Sequence, residues 1–276
     1  MYNKQTIRNI PAYVICLDRK RKERCDINFP KIKKMFPKTT WVYAVDGSKL
    51  EYLNDDRISV FAKYNVKNNY KIDYSIMNHK NQLACALSHI KVWEKIKNGG
   101  IPAIVFEDDV TIDRTLKDKI TNIITKIPKH VDFASILYTG NDNTKKYNDD
   151  WFKIINNSFF GLIAYFITPK GASILLQNVF PLEVHIDKYI GYISSINHEF
   201  KAICYKDKYI PPLETYMKST LNHGINFKSE LPDNNTFYWI VIAIILVIII
   251  GIIFTIVFLN KDRQKCNRQL KKYKKK

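Results

Sequence analysis

Near the C-terminus, Phe237 to Leu259 form an unbroken apolar run of 23 residues, and no charge falls between Asp233 and Lys261. As a helix the run is about 35 Å long, enough to cross a hydrocarbon core of roughly 30 Å. A buried core helix is the other home for such a segment. The length, the Ile and Val content and the polar flanks favour the bilayer. Tyr238 and Trp239 sit where an interfacial aromatic belt would fall. The run divides the chain into a folded domain over 1–205, a linker over 206–236, a transmembrane helix over 237–259 and a basic tail over 260–276.

The first of these is long enough to bury a full core without a metal or disulfide staple. The formal charge of +18 is unevenly placed: the tail carries nine Lys or Arg against Asp262 alone, a net of +8. Beside a membrane such a tail is drawn to anionic headgroups. No base-reading motif accompanies it, so no nucleic-acid partner is expected.

Two topology signals conflict. Met1 to Arg8 contains no apolar stretch that could act as a secretory signal, which places the domain in the cytosol with the anchor inserted last. The basic tail prefers the cytosol itself, and Lys272 and Lys274 have the spacing of a dilysine retrieval signal. The expectation adopted is a single-pass protein of an endomembrane or a viral membrane, with its domain facing the cytosol. Five cysteines, an odd number without a C-x-x-C pair, suggest reduced thiols.

The domain alternates strand-length apolar runs with amphipathic ones, the rhythm of an α/β fold. Strands are expected at Ala12–Leu17, Trp41–Val45, Ile101–Phe106, Asp132–Tyr138, Gly161–Ile167 and Phe200–Tyr205. Helices are expected from Asp18 through Arg24, from Gln82 to Ile96 with a stop at Gly99-Gly100, and from Thr168-Pro169, where proline takes the first helical position.

Glu107-Asp108-Asp109 end one of these apolar strands. Three adjacent carboxylates cannot be buried unpaired, and ligand crevices of open α/β sheets lie at the carboxyl ends of strands. A hard divalent cation bridging phosphate oxygens suits such a cluster. An acidic turn capping a helix that begins near Thr111 is the plainer alternative.

Several motifs in order resemble glycosyltransferase family 25, which includes lipooligosaccharide and collagen galactosyltransferases. They are Ala12-Tyr-Val-Ile-Cys-Leu-Asp-Arg19 with Arg24 and Asp46-Gly47, then Cys85-Ala-Leu-Ser-His-Ile-Lys-Val-Trp93, then Ile104-Val-Phe-Glu-Asp-Asp-Val110. Phe160 to Ala172 and Ile186-Asp187 complete the series.

The resemblance implies a glycosyltransferase A-type nucleotide-sugar-binding domain that uses Mn²⁺ or another divalent cation. Its donor would be a UDP-sugar, with galactose or glucose transferred to a hydroxyl of a glycan, lipid or hydroxylated protein. It also implies an inverting mechanism. Asp109 would contact the metal, with Glu107 aiding the metal or the ribose. Arg19, Arg24, Asp46, Ser88, His89 and Asp108 would serve the nucleotide and its phosphates. Asp187 would be the catalytic base, with His185 second to it. The competing expectation is a non-catalytic membrane protein built on a degenerate transferase domain.

Overall fold

The computed structural model describes residues 4–70, 75–141 and 145–209. The apolar run 237–259 and the basic tail lie outside the described residues, and among those described no helix is long and apolar enough to cross a membrane.

In chain order the elements are α1 (Lys4–Asn9), β1 (Ala12–Cys16), α2 (Cys25–Met35), β2 (Thr39–Tyr43), α3 (Val60–Asn68), α4 (Lys80–Gly99), β3 (Ala103–Glu107) and α5 (Arg114–Thr125). There follow β4 (Phe133–Leu137), β5 (Gly140–Asn141), β6 (Trp151–Lys153), β7 (Phe159–Phe160), β8 (Ala164–Ile167), α6 (Pro169–Gln177), α7 (Ile186–Ile196) and β9 (Ala202–Tyr205). Seven strands form one mixed sheet in the order β2-β1-β3-β8-β4-β9-β6, while β5 and β7 pair separately. β1 runs parallel to both β2 and β3, and β8 runs antiparallel to β3 and β4.

Period-2 alternation divides the sheet's side chains between two cores. Ile15, Val105, Tyr165 and Ile167 face one core with Leu87, Ile90 and Trp93 of α4 and with residues of α6 and α7. Val14, Cys16, Ile104, Phe106 and Phe166 face the other with Ile32 of α2 and Ile120 and Ile124 of α5. Full burial of each such side chain is worth about 1.5–3 kcal/mol, so helices on both faces are required. Glu107 shares the parity of Val105, so the end of β3 turns this carboxylate toward α4.

α4 is the long helix beneath the site. Its start carries a capping box: the His79 ring accepts the Asn81 amide, and Gln82 Oε1 accepts the His79 amide at 3.0 Å. Its end is Gly100 at φ 67°, the left-handed conformation that glycine adopts without strain. Thr168 caps α6, with Pro169 at its first position.

Two expectations are corrected. Asp18 to Arg24 do not open a helix: Asp18–Lys20 form one 3₁₀ turn, and α2 starts only at Cys25. The segment is held as a loop by ties to Asp108, from the Leu17 amide at 2.8 Å and from Arg24 at 3.4 Å. The reduced-thiol reading also fails, because Cys16 and Cys25 form a disulfide across the base of that loop, with Cα atoms 5.9 Å apart. Their nine-residue separation leaves no C-x-x-C signature; the turn from β1 into α2 brings them together. Cys85 and Cys204 are free thiols.

Candidate active site

From β1 the chain passes to β2 on one side and, after α4, to β3 on the other. That reversal of strand order opens a crevice beyond the carboxyl ends of β1 and β3. Leu17, Arg19 and Arg24 follow β1 there, Glu107 to Asp109 close β3, and Ala84, Cys85, Ser88 and His89 of α4 form a wall. Gly47 lies against the start of α4 so closely that a Cβ would meet Asn81 Oδ1 at 2.5 Å and its Cα at 2.9 Å. Only glycine permits that approach.

The three adjacent carboxylates have different posts. Asp108 is 6% exposed and engaged by the protein itself. Its Oδ2 accepts the Leu17 amide, its Oδ1 faces Arg24, and its carbonyl accepts Asn28 Nδ2 at 3.1 Å. Glu107 and Asp109 are only partly buried and line the crevice. Among the described residues no other side chain hydrogen-bonds to Asp109. The alternative of an acidic helix cap is excluded, because Asp113 caps α5 by accepting the Leu116 amide at 2.7 Å.

Glu107 is held by a buried chain of polar groups. His89 Nε2 lies 3.1 Å from Glu107 Oε1, and His89 Nδ1 lies 3.0 Å from the Tyr165 hydroxyl. Trp93 Nε1 donates to that hydroxyl oxygen at 2.9 Å. Burial lowers the His89 pKa to about 4, so the ring is neutral and its contact with Glu107 is a hydrogen bond and not an ion pair.

Burial first, then repulsion from Asp108 and Asp187 against the pull of Arg24, raises Glu107 to about 8. Burial and Glu107 raise Asp109 to about 7. For Asp108 burial dominates over the Leu17 amide and the pKa is raised to about 6. Charged carboxylates are thus disfavoured in the pocket, and a proton or an added cation relieves them.

The other expected residues fall around this centre. Ser88 Oγ accepts the Val45 amide at 2.8 Å and donates to the Ala84 carbonyl at 2.6 Å, so it ties β2's exit to α4. Asp46 Oδ1 accepts from the Ser48 amide and hydroxyl at 2.9 and 2.8 Å and from Arg19 Nε at 3.2 Å. These bonds hold its pKa low against the opposing effect of burial.

Asp187 opens α7, its Oδ2 accepting the Gly161 amide at 2.9 Å and its Oδ1 the Lys188 amide at 2.8 Å. Gly161 has φ 89°, the left-handed geometry that aims its N–H at this carboxylate. Asp187 is not among the residues that line the crevice, although its charge acts on Glu107, His89 and Cys85. His185 precedes α7; burial lowers its pKa, and its ring makes no capping bond. Sequence reasoning missed the site roles of Cys85, Tyr165, Trp93 and Asn81. The i, i+4 spacing of Cys85 and His89 was the available signal for the first.

The family model described as glycosyltransferase family 25 (LPS biosynthesis protein) matches residues 9–190, from before β1 into α7. The chain belongs to glycosyltransferase family 25. It is thus a glycosyltransferase, and its chemistry calls for a nucleotide sugar and an acceptor. The match takes in both sides of the crevice, the loop after β1 and the triplet after β3, together with Asp187. No curated protein matches the chain.

Proposed function

We propose that this family 25 domain is a metal-dependent, inverting hexosyltransferase of the glycosyltransferase A type. In this reading it transfers galactose or glucose from a UDP-sugar to a hydroxyl of a glycan, lipid or hydroxylated protein. The observation that carries the reading is the pair Glu107 and Asp109, two crevice-lining carboxylates whose pKa values burial and mutual repulsion raise to about 8 and about 7.

Oxygen donors of this kind suit a hard divalent cation such as Mn²⁺, which when bound would neutralise the charge that collects on the departing diphosphate. Asp109 is the direct ligand and Glu107, oriented by His89, the second. Asp108 builds the floor by holding Leu17 and Arg24. Arg19 gives Asp46 only its Nε among the described residues, and its other N–H groups suit phosphate oxygens. Asp187, held by two backbone amides, accepts the proton of the acceptor hydroxyl as that oxygen attacks the sugar carbon.

The segment 237–259 anchors the domain to a membrane in this reading. Disulfides persist in oxidising compartments, so the Cys16–Cys25 bond favours a lumenal domain over the cytosol-facing one expected from the N-terminus. A lumenal domain also leaves the basic tail in the cytosol, as the positive-inside tendency asks. Protease protection of the domain in sealed vesicles checks this; digestion without detergent would place it in the cytosol.

The test of function uses the full chain in detergent against a panel of nucleotide sugars, with and without Mn²⁺, scoring nucleotide release. Mn²⁺-dependent release from one donor, abolished by Asp109→Ala, is expected. Equal release in EDTA, or full release by the variant, would overturn the cation reading.

A further inference from the structure

Cys85 and His89 stand one helical turn apart on the same face of α4, and Glu107 meets them from the end of β3. One ligand atom from each, the Cys85 sulfur, a His89 ring nitrogen and a Glu107 carboxylate oxygen, lie within 4.8 Å of one another. All three residues line the crevice, so an ion can reach them from solvent. A thiolate, an imidazole and a carboxylate are not the all-oxygen set that Mn²⁺ or Mg²⁺ prefers. They are a soft to borderline set, suited to tetrahedral Zn²⁺ with its fourth position open to water or a ligand.

We propose that Cys85, His89 and Glu107 form a zinc site, distinct from the oxygen-donor position at Asp109 and sharing only Glu107 with it.

Three features of the surroundings support the assignment. A histidine that ligates zinc through Nε2 carries its proton on Nδ1, and needs a fixed acceptor there. The Tyr165 oxygen lies 3.0 Å from Nδ1 and is itself pinned by Trp93 Nε1. The ring is thus already oriented for coordination. Burial first, and then the charges of Glu107, Asp187, Asp109 and Asp108, push the Cys85 thiol pKa up, and a bound cation offsets both effects. The Cys85 sulfur is also not consumed elsewhere: the disulfide joins Cys16 to Cys25, and Cys85 is free.

Two divalent cations drawn to the one Glu107 carboxylate repel each other, so zinc here weakens binding of the catalytic cation and inhibits transfer. That consequence rests on the function proposed above; zinc binding itself does not.

The experiment is metal titration of the full chain in detergent, with no turnover required. Zn²⁺ affinity is read by competition with a chromophoric chelator, and Co²⁺ serves as a spectroscopic stand-in whose thiolate bond gives a near-ultraviolet charge-transfer band. Wild type is expected to bind one zinc tightly and to show the cobalt band. Cys85→Ser, close in size, should lose the band and weaken zinc binding by about 100-fold or more, while Asp109→Ala keeps both. Tyr165→Phe should weaken zinc by about 10–100-fold, as loss of a supporting hydrogen bond does.

Unchanged zinc affinity in Cys85→Ser, or zinc lost in Asp109→Ala but kept in Cys85→Ser, would overturn the proposal by placing zinc on the oxygen donors. A protein that shows the Cys85-dependent band yet releases no nucleotide supports the zinc site and counts only against the catalytic reading.

Discussion

The floor and the rim of the crevice are built from adjacent residues of one acidic triplet, and they are opposite in character. On the floor, Asp108 is satisfied by the Leu17 amide and Arg24. At the rim, Glu107 touches a neutral histidine, and Asp109 has no side-chain partner among the described residues. The difference teaches that a run of like charges can be divided by strand geometry. Alternation sends Glu107 to the α4 face, and the chain's exit from β3 turns Asp108 back onto the loop after β1. Asp109 lines the crevice with no side-chain hydrogen bond among the described residues. One carboxylate builds, and its neighbours remain available to bind.

The sharpest way to break this contrast is to delete each aspartate in turn. Asp109→Ala should lower Mn²⁺-dependent transfer by roughly 10³-fold, in the range seen for loss of a group that stabilises transition-state charge, with little change in melting temperature. Asp108→Ala should do the reverse first. It leaves Arg24 buried without this carboxylate and the Leu17 amide without an acceptor, so stability falls by about 3–5 kcal/mol. Thermal unfolding and nucleotide release, measured on both variants, separate the roles. If Asp109→Ala melted as early as Asp108→Ala, the division of labour would be wrong.

Proton binding sharpens the same contrast. Glu107, Asp109 and Asp108 have folded pKa values raised to about 8, 7 and 6, above the roughly 4 of an unfolded carboxyl. Their contribution to stability is complete below about pH 4 and is lost as pH rises through the folded values. His89, lowered to about 4, acts in the opposite sense, stabilising above its unfolded pKa of roughly 6.5 and losing that contribution as pH falls. The two effects oppose each other below about pH 6.5. Above it only the carboxylates act, so the metal-free protein should lose stability on the order of 2 kcal/mol between about pH 6.5 and 8. Saturating Mn²⁺ should flatten that slope. Melting curves in EDTA and in Mn²⁺ at the two pH values decide the matter, and a metal-free protein that gains stability over this window would count against it.

The contrast also marks how far the sequence could be read. β1, β3 and β8 were legible because each is a continuous apolar run between polar segments, as a strand covered on both faces must be. The start of α6 was legible from Thr168-Pro169, and the end of α4 from Gly99-Gly100, because these signals are local. What escaped depends on contacts between distant residues. Asp18 to Arg24 have a helix-like composition, but the segment is tied at its two ends to Asp108, which lies 91 positions from Leu17 and 84 from Arg24. The disulfide depends on how β1 turns into α2. The separate tasks of Glu107, Asp108 and Asp109 follow from which face each meets, and no count of acidic residues shows that. Cys85 lies in the same stretch of α4 as Ser88 and His89, yet it meets Glu107 only once α4 packs beside β3.

The smallest expected effect belongs to the next aspartate along the chain. Asp113 is the helix cap that the triplet is not: its side chain accepts the Leu116 amide and sits one turn ahead of α5's buried face, Leu116, Ile120, Ile123 and Ile124. Asp113→Ala removes one acceptor from the exposed amides of the first turn and should cost about 1 kcal/mol. α5 packs on the sheet face opposite α4, so the crevice should not register the change. Transfer rate and Mn²⁺ dependence should match wild type at temperatures below the lowered melting point. A loss of Mn²⁺ dependence in Asp113→Ala would show that the acidic stretch after β3 acts as one unit, and the separation between building and binding carboxylates would fail.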